Sequence, residues 1–226
     1  MSAPSTRPIA ITDEGDISVS GLLTMPQRAR ACYVLAHGAG AGMNHPFMAA
    51  VAEGLAARRI ATLRYQFPYM ERGSKRPDAP ALAHATVRAA VAVATQLQPQ
   101  LPLIAGGKSF GGRMTSQRQA EAPLPCKGLA FLGFPLHPAG RPSSDRARHL
   151  FEIKIPMLFL QGTRDNLAVL SELTPLCQEL GRRATLRLFE DADHSFHVPA
   201  RTGRKDAQVL DEVLDTLAAW IGKLVA

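Results

Sequence analysis

Apolar residues fall along the chain in short runs, separated by glycine, proline and polar clusters, and the runs change period as they go. Residues 17–23 alternate (Ile17, Val19, Gly21, Leu23), the pattern of a strand with one covered face, and are read as one half of an antiparallel pair. Residues 31–36 (Ala-Cys-Tyr-Val-Leu-Ala) are apolar without a break, as in a strand buried on both faces. Residues 60–65 are read as a second inner strand, 101–105 as a short buried one, 127–132 and 155–160 as further strands and 184–189 as the last. Helical spacing lies between them. Phe47, Val51 and Leu55 mark a helix over 47–59, with Pro46 as its first residue. Others cover the alanine-rich 81–97, then 113–121, then 167–180 with a stop at Gly181. The last covers 206–224, with Val209, Val213, Leu217 and Trp220 inward.

Strand and helix therefore alternate through most of the chain. This predicts one α/β domain over residues 1–226, with a mostly parallel central sheet and helices on both faces. In such sheets ligands bind beyond the carboxyl ends of the strands. Two connections are long and polar, 66–80 and 136–148, and are read as movable walls of a site. The space between the strands at 127–132 and 155–160 is too short for a large cap, so the site is expected to be open.

Composition narrows the class. An apolar content of 46% is ordinary for a water-soluble globular protein, and no run approaches the roughly 20 apolar residues of a membrane span. The first eleven residues carry no apolar segment of a secretory leader, so a cytoplasmic location and no membrane partner are expected. The three cysteines, Cys32, Cys126 and Cys177, are widely spaced. Cys32 and Cys126 sit in apolar runs as buried thiols, and no residues have metal-ligand spacing. The formal charge of +7 comes from scattered basic residues with no nucleic-acid-binding signature, so it is read as a solvated surface without a specific nucleic-acid partner. No cofactor or metal is expected, and nothing sets an oligomeric state.

The chemistry-bearing residues follow the strands. The strand at 101–105 runs into Gly107-Lys108-Ser109-Phe110-Gly111, and a helix follows. Strand, sharp glycine turn and helix make the setting of a nucleophile elbow. A serine on such a turn needs a strained backbone, and its neighbours two residues away pass close to strand and helix, where a Cβ would clash. Lys108-Ser109 does not complete a phosphate loop, because Pro102 stands where the first glycine of that motif would be.

A serine hydroxyl needs a base, and the base needs a group to orient it. Asp165 follows the strand at 155–160 and His194 follows the strand at 184–189. The order Ser109, Asp165, His194 is therefore the serine–acid–histidine order of one hydrolase fold. Asp165 can also cap the helix after it. His194 is preferred over His197 because it directly follows the Asp191-Ala192-Asp193 turn. The glycine-rich loop His37-Gly38-Ala39-Gly40 follows an inner strand, where backbone amides can face an oxyanion. Ala39 N–H is the favoured donor, with Gly38 and Gly40 as alternatives, and Phe110 N–H supplies the second. His37 is read as a structural histidine. Gly38, Gly40, Arg64, Tyr65, Tyr69, Lys108 and His137 are candidate substrate-binding residues.

With these motifs in place the chain resembles the α/β-hydrolase superfamily, in its small lidless branch near the dienelactone-hydrolase-like proteins. The closer likeness is to bacterial hydrolases related to testis-expressed protein 30 and the third subunit of the NSL complex. The residues that carry it are His37-Gly38-Ala39-Gly40, Arg64 to Met70, Gly107 to Gly112, Gly133 to Pro138, Gly162-Thr163-Arg164-Asp165 and Asp193-His194-Ser195-Phe196. The resemblance implies a hydrolase fold with the triad named above. Dienelactone hydrolases themselves use a cysteine nucleophile, so their substrate is not carried over. The expected activity is hydrolysis of an ester or thioester of a small acyl substrate through an acyl-enzyme. Basic residues in both walls (Arg72, Lys75, Arg76, Arg141, Arg146, Arg148) suggest an anionic one. The rival class is an interaction module on the same fold, since relatives of this kind include proteins with an associating role.

Overall fold

The computed structural model describes residues 4–13, 15 and 17–226. Eight strands form one sheet in the order β1-β2-β4-β3-β5-β6-β7-β8. The strands are β1 (Ser5–Thr12), β2 (Ser18–Met25), β3 (Ala31–Ala36), β4 (Ile60–Tyr65), β5 (Leu103–Lys108), β6 (Gly128–Leu132), β7 (Met157–Gly162) and β8 (Ala184–Phe189). β1 pairs antiparallel with β2, and β2 antiparallel with β4; every pairing from β4 onward is parallel. The helices are α1 (Pro46–Ala57), α2 (Pro68–Glu71), α3 (Pro80–Leu97), α4 (Phe110–Glu121), α5 (Leu170–Leu180) and α6 (Asp206–Val225).

The unbroken apolar strands have the two-sided burial their composition requires. Side chains alternate across a strand. In β3, Ala31, Tyr33 and Leu35 pack under α1 and α6 on one face, and Cys32, Val34 and Ala36 pack against the α3–α4 side on the other. The buried phenol of Tyr33 donates to Ala130 O at 2.8 Å, so its polar end has a partner across the sheet. Cys177 is buried as well as Cys32, and Cys126 is half-buried. Burial pushes all three thiols up to about 12, away from reactive thiolate.

Three segments depart from the sequence reading. β1 was not anticipated: it is an exposed edge strand whose Ser5-Thr6-Arg7-Pro8 start offers no apolar alternation, and Pro8 is tolerated because an edge needs no ladder donor there. The 66–80 connection contains the short α2, with Pro68 and Tyr69 buried. β5 continues to Lys108 and α4 begins at Phe110, so the turn holding Ser109 is a single residue wide. The β6–β7 connection carries only a 3-10 helix, Asp145–Glu152, and no cap domain.

That narrow turn is made possible by close backbone approach. A Cβ on Gly107, whose φ is +154°, would strike Ala36 O, and one on Gly111 would lie 2.6 Å from His37 O. Gly111→Ala is therefore expected to lower stability by about 1–3 kcal/mol through forced separation of α4 from the end of β3. A urea midpoint unchanged from wild type would contradict this.

Two histidines, the buried His37 and the half-buried His149, add a pH dependence. Burial pushes His37 down to about 4, and burial with Arg113 nearby pushes His149 to about 4, against an ordinary 6.5. Both are neutral in the folded protein, so below about pH 6.5 the unfolded chain binds protons that the folded chain refuses. Stability from this source is complete above that value and is lost as the pH falls towards about 4. Urea midpoints measured across this range should fall steadily. His149→Gln, which keeps an acceptor for Ser116, should remove about half of the slope.

Candidate active site

Ser109, Asp165 and His194 come from three different strand ends, and the sheet brings them to one edge. Ser109 sits between β5 and α4 with φ +49° and ψ −116°, a region that costs a non-glycine residue about 1–3 kcal/mol. Its neighbours hold it there: Ser109 N–H donates to Leu132 O, and Arg113 N–H donates to Ser109 O as the first turn of α4 closes. Ser109 Oγ lies 2.8 Å from His194 Nε2, and His194 Nδ1 lies 2.6 Å from Asp165 Oδ2. The carboxylate beside Nδ1 assigns the proton to that nitrogen, which leaves Nε2 as the acceptor facing the hydroxyl.

Asp165 is 3% exposed and its carboxylate is fully engaged. Oδ2 takes the Gln161 Nε2–H at 2.5 Å as well as His194, and Oδ1 takes the Leu167 N–H at 2.8 Å. α5 begins only at Leu170, so Asp165 closes a turn ahead of the helix rather than capping it. Gln161 is a participant that the sequence did not reveal. It lies inside the apolar run of β7, and its Oε1 accepts from Phe134 N–H at 2.9 Å, so one amide links the β6 exit to the carboxylate.

Asp193 folds the loop that carries His194, accepting from Ser195 N–H at 2.7 Å and His197 N–H at 3.0 Å. His197 points elsewhere, with an exposed ring paired to Asp206. Lys108 Nζ donates to His194 O at 2.6 Å and lies about 6 Å from the rings of Phe47 and Phe196. Burial pushes this ammonium down to about 8, against the pull of Asp165 and Asp193.

The 37–40 loop passes directly over the elbow; a Cβ on Gly38 would lie 3.8 Å from Ser109 Cβ. His37 is fully buried and braces the loop. Its Nδ1–H donates to Gly38 O at 2.7 Å, and its Nε2 accepts from Phe67 N–H at 3.1 Å. Gly40 N–H is taken by the Tyr69 hydroxyl at 3.1 Å, so it is not available to a ligand. Among the described residues the amides of Ala39 and Phe110 have no protein acceptor.

Ser109 lies between two cavities. One, of about 340 Å3, has a mainly apolar lining that includes Ala39, Phe47, Met48 and Leu167, with Lys108 and Gly38 at its margin. The other, of about 410 Å3, is lined by Phe110, Arg113, Met114, Pro135 and Arg146 together with Pro77 and Asp78. Arg64, Tyr65 and His137 line neither. Arg64 is buried on β4 and donates to Met43 O at 3.2 Å, and Tyr65 is in the core. His137 has both ring nitrogens occupied, by Pro138 O and Val169 N–H, and ties the β6 exit to the β7–α5 loop. Tyr69 acts one step back, on Gly40. The sequence reading names all four as candidate pocket residues, but Arg64 and Tyr65 lie within β4, and which way each side chain faces depends on its packing.

Comparison with known proteins agrees with this architecture. A family model described as an alpha/beta hydrolase domain matches residues 29–222. Dienelactone hydrolase from Anabaena variabilis is similar over 98% of this chain and 99% of its own, with a TM-score of 0.79 and 21% identity. A lidless α/β serine hydrolase from Xanthomonas campestris is similar over 95% of this chain and 94% of its own, with a TM-score of 0.72 and 19% identity. The esterase domain of a Rhodothermus marinus protein is similar over 98% of this chain and 100% of its own, with a TM-score of 0.72 and 17% identity. At these identities the solved structures establish the fold, and the family match over most of the chain establishes descent: this protein belongs to the α/β-hydrolase domain family.

Proposed function

We propose that the chain is a cytosolic serine hydrolase that cleaves an ester or thioester through an acyl-enzyme. The observation that carries this reading is the continuous hydrogen-bond chain from Ser109 through His194 to Asp165, set on a strained elbow beside two unengaged amides. Likeness to the bacterial hydrolases related to testis-expressed protein 30 belongs to the same reading.

In the first step His194 Nε2 takes the proton of Ser109 as Oγ attacks the acyl carbon. Charge moves onto the carbonyl oxygen, which accepts from Ala39 N–H and Phe110 N–H. The amide of Phe110 is the first of α4, so the positive end of the helix adds to its pull. Asp165 keeps the proton of the imidazole on Nδ1 and stabilises the imidazolium. His194 then gives its proton to the departing alcohol or thiol. A water enters, loses a proton to Nε2, and attacks the acyl-serine; collapse releases the acid and restores Ser109. Each step uses a group whose position is fixed by a neighbour: His194 by Lys108 and Asp193, Asp165 by Gln161, and the 37–40 loop by His37 and Tyr69.

A general fluorophosphonate probe tests this directly. Wild type should gain one adduct by intact mass, and Ser109→Ala should gain none while keeping its circular dichroism and denaturation midpoint. Turnover of short-chain aryl esters and thioesters should fall by at least about 10^3-fold in that variant. Retained turnover in Ser109→Ala would overturn the reading. A well-folded wild type that takes no label would instead favour an interaction module on a hydrolase fold.

A further inference from the structure

The two cavities that meet at Ser109 differ in charge. The first is mainly apolar, with His45 and Ser195 in its lining beside Lys108, whose ammonium is already committed to His194 O. The second holds two guanidinium groups, Arg113 from the first turn of α4 and Arg146 from the 3-10 helix in the β6–β7 connection. Neither forms an ion pair among the described residues. Arg113 is half-buried, and its Nε is a buried nitrogen with no hydrogen-bond partner.

A half-buried guanidinium with an unpartnered buried Nε is costly, and the exposed cation of Arg146 beside it raises the cost. The carboxylates nearby do not offset it. Asp78, which lines the same cavity, is held by Arg72 and by Tyr69 N–H. Asp145 pairs with Arg148. The imidazole of His149, close to Arg113, is held neutral by burial, and its partners are Ser116 Oγ and the Arg146 backbone. The main chain of Arg113 is fixed to the elbow, because its amide closes the turn on Ser109 O. Arg113 and Ser109 line the same cavity, and the helix that carries Arg113 is the one whose first amide is the proposed oxyanion donor.

Building on the serine-hydrolase reading, we propose that Arg113 and Arg146 form an anion-recognition subsite. The substrate then carries a carboxylate or phosphate on one side of its scissile acyl bond and an apolar group on the other. The anionic end enters between Arg113, Arg146 and Pro135, where planar guanidinium groups can hold its oxygens in paired hydrogen bonds. The apolar end lies against Phe47, Met48 and Leu167. The six loop cations first suggested by the sequence contribute one member, Arg146; Arg72 and Arg148 are used in ion pairs.

The test compares kcat/KM for a neutral butyrate aryl ester with two matched esters. One carries a carboxylate on the acyl part, the other on the alcohol part. Wild type should prefer one of the charged esters by at least about tenfold, as expected for charge-assisted hydrogen bonds. Arg113→Met, Arg146→Met and the double variant should reduce the charged-to-neutral ratio at least about tenfold, with a retained fluorophosphonate adduct showing that the elbow is formed. Calorimetric titration of wild type and double variant with benzoate and with phenyl phosphate reads the subsite without chemistry and separates carboxylate from phosphate. Saturable binding of either anion that the double variant loses supports the subsite. A wild-type ratio near one with both charged esters, a ratio unmoved by the substitutions, or the same anion binding in both proteins overturns it. Failure of the hydrolase reading has a different signature: no label and no turnover of any ester, with the anion titration still deciding the subsite.

Discussion

The backbone contact between the elbow and the end of β3 is the constraint on which the site depends. Gly107 and Gly111 allow the β5–α4 turn to lie against Ala36 and His37 with no side chain between them. This one approach does three things. It forces Ser109 into a strained conformation that lifts its hydroxyl off the sheet. It sets the amide of Phe110 at the mouth of α4. It also brings the 37–40 loop over the serine, so that Ala39 and Phe110 line the same cavity. A wider turn would separate the nucleophile from both amides at once.

Strain at one residue persists only where its surroundings over-determine it. Here the surroundings are a shell of buried polar side chains, each with both ends occupied. His37 joins the 37–40 loop to the exit of β4, His137 joins the exit of β6 to the loop after β7, and Gln161 joins the exit of β6 to Asp165. Tyr69 holds Gly40 and Lys108 holds the carbonyl of His194. Satisfied networks of this kind rigidify a site, and half-satisfied ones are costly. The three members of the hydrogen-bond chain arise on separate strands, so their separation is set by this shell rather than by chain connectivity. The buried neutral state of His37 makes that shell sensitive to acid.

The lack of a cap domain has a consequence for recognition. With only a 3-10 helix between β6 and β7, no large apolar surface closes over Ser109. In the proposed function, discrimination falls to the two cavities flanking Ser109, one mainly apolar and one holding Arg113 and Arg146. In the proposed reading, asymmetry of charge across Ser109 orients a substrate without a lid, because each end has a favourable side and an unfavourable one.

Much of this was legible in the residues. Unbroken apolar runs such as Ala31–Ala36 can only be two-sided strands, and their alternation with helical spacing specifies the sheet. The glycines around Ser109 and the positions of Asp165 and His194 after their strands mark the site, because a parallel sheet collects successive strand ends on one edge. What the sequence could not reach depends on neighbours distant in the chain. β1 is stabilised by its ladder to β2 rather than by its own pattern. Gln161 reads as one more residue of a strand until Phe134 and Asp165 converge on it. Arg64 and His137 read as pocket residues until their partners turn them inward, and Arg113 reads as an ordinary helix cation until burial leaves its Nε alone beside Arg146. Periodicity and turn chemistry are local and are written in the order of residues; which way a polar side chain points, and whether its charge is answered, is decided only when separate strands and loops are packed together.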